Sequence, residues 1–144
     1  MQGQMSKTDY RNNNPGERVI KSLTFANDTG TVNLFTVTGD VHVVVIPICK
    51  TNVASGAAGS IELGVSGDTD AMIASTLGTD IDANEIWIDA GPNSNIEAGS
   101  TGLDYYISNG DDIILTLSAQ IDSGAIDFTC FWYPISSDGN VVAA

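Results

Sequence analysis

From residue 18 onward, apolar and polar positions alternate in short runs broken by turn residues, a period of two that predicts β-strands. Residues 19–26 (VIKSLTFA) set Val19, Leu23 and Phe25 on one face, with Lys21 interrupting the row. Asn27-Asp28-Thr29-Gly30 predicts a turn, and the β-branched and aromatic run 31–38 (TVNLFTVT) predicts a second strand. Gly39-Asp40 predicts a two-residue hairpin connection that needs positive φ. The run 41–49 (VHVVVIPIC) is apolar almost throughout, as in a strand buried on both faces. Pro47 has no N–H to give a ladder, so it marks a bulge or an edge there.

Later strands follow the same logic. Residues 60–66 place Ile61, Leu63 and Val65 inward and Glu62 outward, 85–89 centre on Trp87, and 105–107 form a short piece. Asn109-Gly110 is a hairpin signal, followed by two long runs at 111–119 and 125–133. Only 68–76 has room for a helical turn. The expectation is an all-β fold of short strands, an antiparallel β-sandwich or jelly-roll-like barrel.

Residues 1–16 (MQGQMSKTDYRNNNPG) have no such period, an Asn run and a Pro-Gly stop. A polar segment of this kind orders only against a neighbour. The chain therefore divides into an extended N-terminal arm, 1–17, and a single β-domain, 18–144. Its 144 residues suit one domain, and 42% hydrophobic residues suit a packed core. Charged residues make up only 16%, below the roughly 25% of soluble domains, which fits a surface largely covered by partners.

Charge is segregated along the chain. All five cations (Lys7, Arg11, Arg18, Lys21, Lys50) lie in the first fifty residues beside four acids, and the remaining fourteen acids follow without a cation. With a net charge of −13, the folded part should repel nucleic acid and anionic membranes. No run of eighteen apolar residues predicts a spanning helix, and the start lacks the apolar stretch of a secretory signal. Cys49 and Cys130 sit in apolar runs and are expected as buried thiols, with a Cys49–Cys130 bridge as the alternative. Synthesis in a reducing cytoplasm follows.

Catalytic signatures are weak. His42 stands alone in its strand with no nucleophile motif, which favours a packed strand residue over a general base. Neither a zinc ligand spacing nor a phosphate-binding loop is present. Asp80, Asp82 and Asn84 imitate the start of a calcium loop, yet Glu85 stands where that loop needs Gly and Gly91 where it needs Glu. An oxygen cage from Asp68, Asp70, Asp80, Asp82 or Asp89 competes with the simpler reading of Asp as a turn residue. Fourteen acids also make some carboxylate pair inevitable, so a glycosidase reading is unspecific. Trp87, Phe131 and Trp132 are expected in the core or at an oligomer interface. Neither catalytic residues, nor a metal, nor a cofactor is expected.

Four blocks carry a family resemblance: GTVNLFTVTGDV (30–41), IELGVSG (61–67), TDID with EIW (79–82 and 85–87), and FTCFWYPISSDG (128–139). Over about Ser22 to Val141 the chain resembles short proteins encoded with the head genes of tailed bacteriophages. The resemblance implies a head decoration, or cement, protein: non-enzymatic, β-rich, commonly a homotrimer, bound to the major capsid protein on the virion surface. Under it, Lys7, Tyr10, Arg11 and Arg18 become capsid contacts of the arm, by position and charge. A low-copy tail or head–tail protein, or a receptor-binding tip with exposed loops, is the competing structural reading.

Overall fold

Two strands of 22 residues organise the fold: β1 (Glu17–Thr38) and β8 (Ile113–Pro134). The computed structural model describes residues 16–99 and 104–144. Between the long strands come β2 (Val41–Ala54), β3 (Ser60–Val65), β4 (Asp68–Leu77), a 3-10 turn at Gly78–Asp80, β5 (Glu85–Ile86), β6 (Asn93–Ser94) and β7 (Tyr105–Ile107). β9 (Asn140–Ala143) ends the chain. Among the described residues there is no α-helix.

All strand pairs are antiparallel and belong to one curled sheet, a half-barrel. β8 is its spine. One edge of β8 pairs with β1 from Trp132–Glu17 to Ile113–Phe35. Its other edge is shared, with β3 alongside 113–117 and β2 alongside 123–134. β4 extends the β3 side, β7 and β5 flank β2, β6 adds to β5, and β9 pairs with the end of β1.

Bulges explain how one sheet encloses a core. Along β1, Phe25 is buried at an odd position and Leu34 at an even one, and Phe35 and Val37 then return to odd. The ladder with β8 shifts register between Asp28 and Gly30 and again between Asn33 and Phe35. At the first shift the extra residues are on β8, and at the second β1 carries one, which moves its apolar set from the parity of Leu34 to that of Phe35 while the strand bends. On β8 the switch lies between Ile121 and Ile126, at Gly124 with φ 126°. Both halves of each long strand thus face the same core, which joins Phe25, Leu34, Phe35, Leu115 and Phe128. Ala144 ties the bend across the open side, since its N–H donates to Leu34 O and its backbone oxygen accepts from Lys21 Nζ.

Several local expectations are corrected. The expected turn at 27–30 is the bend inside β1, and 111–119 and 125–133 are one strand. Gly39 does take positive φ (63°), but the strands it joins do not pair; both β1 and β2 lie against β8. Likewise, Asn109-Gly110 turns the chain without making a hairpin, because β7 pairs with β2. Residues 68–76 are strand, not helical turn. Glu17 opens β1 one residue inside the expected arm.

Candidate functional site

The start of β1 is an open strand edge. From Glu17 to Asn33 its inner edge pairs with β8, while among the described residues no strand occupies its outer edge. Such an edge presents a row of backbone N–H and C=O groups to any partner strand. It continues directly from residues 1–15, which carry Lys7, Tyr10 and Arg11; those three lie outside the described residues. Arg18 is within the described residues, in β1. It is exposed on the outer face of β1, opposite Phe131.

That outer face is the second feature. β1, β8 and β2 run side by side, and strict alternation sends Val43, Val45, Phe128 and Cys130 into the core. The intervening residues point out in cross-strand rows. Arg18, Phe131 and Val44 form one row, Ile20, Thr129 and Ile46 the next, and Ser22, Asp127 and Ile48 the third. Val44, Ile46, Ile48 and Phe131 are half-buried, and Ile20 is 45% exposed. The strand expected to be buried on both faces is therefore fully buried on one and mostly half-buried on the other. Pro47 sits on this strand with its carbonyl accepting from Trp87 N–H (3.0 Å). Its missing N–H therefore points away from the β8 ladder.

A polar cluster closes one end of the face. His42, 7% exposed, lies between the rings of Tyr133 (centroids 4.5 Å apart) and Tyr106 (4.9 Å), with Nε2 3.0 Å from Asp104 Oδ1. β2, β7 and β8 converge to place these rings, so the packed-strand reading of His42 holds, with an added acidic partner 62 residues away. Sequence offered only the short strand at 105–107 as a clue, and nothing signalled Asp104.

Trp87 is wholly buried in the core, with its Nε1–H donating to Thr76 Oγ1 at 2.9 Å. Trp132 packs partly buried against the same core, whereas Phe131 faces outward. Cys49 and Cys130 are buried free thiols. They lie on adjacent strands but out of register, since Cys49 pairs with Ile126 and Cys130 with Val45. Burial pushes the Cys130 thiol up to about 12 and the Cys49 thiol up to about 11, the latter restrained by a hydrogen bond with Thr51.

The carboxylates act locally. Glu85 accepts from Asp82 N–H, Asp89 from Gly91 N–H and Asp122 from Gly56 N–H, each within 2.8 Å. The Asp122 carboxyl is held below its ordinary value by Gly56 N–H and by the Gln120 side chain. Asp68 is raised by its hydrogen-bonded neighbour Asp70. Among the described residues no three His, Cys, Asp or Glu side chains converge as metal ligands, and no helix is long and apolar enough to cross a membrane. The class these features define is a curled all-β half-barrel with an open edge and an apolar outer face. Comparison with protein-family models, curated proteins and solved structures finds no match.

Proposed function

We propose that the chain is a non-enzymatic decoration protein of a phage head, bound to the major capsid protein on the outer surface of the shell. The observation that carries this reading is the open outer edge of β1, continuous with a polar segment bearing Lys7, Tyr10 and Arg11. A shell strand added to that edge would gain main-chain hydrogen bonds. Binding that exists only in the assembled shell stabilises the shell by mass action. The sandwich or jelly-roll-like closure belongs to the same proposal, with the two halves of the bent β1–β8 ribbon acting as the layers. The resemblance of the four sequence blocks to phage head-gene proteins is what points to that partner.

The test is copy number in purified virions, measured against the major capsid protein by quantitative mass spectrometry. A number comparable to the shell protein is expected, together with loss of the protein from particles when residues 1–17 are deleted. A few copies per particle would move the chain to the tail or its tip, and absence from virions would end the virion reading.

A further inference from the structure

A second copy of this chain is the partner that best fits the outer face of β1, β8 and β2. Ile20, Val44, Ile46, Ile48, Phe131 and Tyr133 give it apolar positions on all three strands, set among Arg18, Ser22, Thr129 and Asp127. Strands lie about 4.8 Å apart and alternate residues about 6.7 Å apart, so the patch spans roughly 14 by 26 Å. A face of that extent suits the centre of a standard interface. Residues 1–15 are a poor occupant because they are almost wholly polar.

Charge selects the partner and its orientation. Two copies of net charge −13 repel over most of their surfaces. This face, by contrast, holds Arg18 against the single acid Asp127, and Lys50 lies at its far end. Take a two-fold axis in the plane of the face, crossing the strands along the row Ile20–Thr129–Ile46. It lays each Arg18 row over the partner copy's Asp127 row. With sheets about 10 Å apart, a guanidinium reaches a carboxylate one strand over. The same axis lays the end carrying Lys50 over the end carrying Asp104, whose side chain is 68% exposed. A two-fold axis parallel to the strands would instead stack Asp127 on itself. We infer that the outer face of β1, β8 and β2 is a self-complementary, two-fold docking surface for a second copy of the chain, closed by reciprocal Arg18–Asp127 pairs. This goes beyond the decoration reading and departs from the three-fold assembly that the resemblance implies.

The experiment is sedimentation equilibrium of the full chain, up to about 100 μM, the weak end of specific association. A dimer is expected. Arg18→Asp and Asp127→Arg should each weaken it about tenfold or more, and the two together should restore it to within about threefold, since only the paired reversal recovers the contact. Ile20→Asp, at an exposed edge position, should give a monomer with an unchanged far-UV spectrum. A monomeric wild type, a trimer, or a dimer indifferent to Arg18, Asp127 and Ile20 would each overturn the inference. None of these results bears on copy number in virions, so the two proposals fail separately.

Discussion

The Trp87–Thr76 hydrogen bond offers the sharpest test of how this core is held. Trp87 is 0% exposed and Thr76 is 2% exposed, and the indole N–H donates to Thr76 Oγ1 at 2.9 Å. The hydroxyl in turn donates to Ala74 O at 2.9 Å. Thr76→Val keeps the shape and deletes the acceptor, leaving a buried N–H that water cannot reach. That should cost about 1–3 kcal/mol. Trp87→Phe removes the donor and part of the ring, at about 2 kcal/mol for the packing lost. It strands nothing, because Thr76 still donates to Ala74. In the Trp87→Phe background, Thr76→Val has no indole N–H left to orphan, so its own cost should shrink to about 0.5 kcal/mol. The coupling in the double-mutant cycle should therefore be about 1–2 kcal/mol. Urea unfolding followed by far-UV circular dichroism measures it without relying on tryptophan fluorescence. Additive effects within about 0.3 kcal/mol, or a neutral Thr76→Val, would show that the bond does not hold Trp87 in place.

Three further outcomes follow from local chemistry. A Cβ at Gly64 would lie 2.2 Å from Asp68 O, whereas one at Gly67 meets nothing within 4 Å; Gly64→Ala should cost over about 2 kcal/mol and Gly67→Ala under about 0.5 kcal/mol in the same urea assay. Both thiol pKa values are raised by burial, so the stability they contribute is complete below the ordinary value of about 9 and is lost as pH rises toward 11–12; thiolate ultraviolet absorbance should stay absent at pH 9 and rise only with alkaline unfolding, and a normal titration near 9 would contradict burial. Asp122 is depressed, so its contribution is present above the ordinary carboxylate value and lost as pH falls through the lower folded value; Asp122→Ala should lower Tm at pH 7 and flatten its decline in acid, and parallel Tm–pH curves for variant and wild type would contradict the carboxylate's role.

The strand content was legible because alternation is a local property. Val19, Leu23 and Phe25 do face inward, as do Ile61 and Leu63, and Glu62 is turned to accept from Thr69 Oγ1. What alternation could not reveal is which strands pair. Turn chemistry at Gly39-Asp40 and Asn109-Gly110 was read correctly as a change of direction, yet both neighbours there pair elsewhere. The long β8 offers more hydrogen-bonding edge and more apolar surface than either local hairpin would. The continuous apolar run of β2 misled for a related reason: a strand buried on both faces and a strand half-buried on one of them have the same composition.

That ambiguity connects the fold to the proposed contacts. Register shifts at Asp28–Gly30 and Asn33–Phe35, with the positive φ of Gly124, let one ribbon fill its own concave side, so the core closes without a second sheet. Closure by bending leaves the convex side of β1, β8 and β2 outside the core, and among the described residues it leaves the beginning of β1 without an outer neighbour. Lys21 illustrates the compromise. It interrupts the inward apolar row of β1, and its amine is satisfied at Ala144, on the open side of the curl. An inward lysine at that position discourages indiscriminate strand addition. It does not block a partner that also engages residues 1–15, nor a copy that docks on the face instead of the edge. Edge and face would therefore serve the two proposed contacts, one along the strand and one across it.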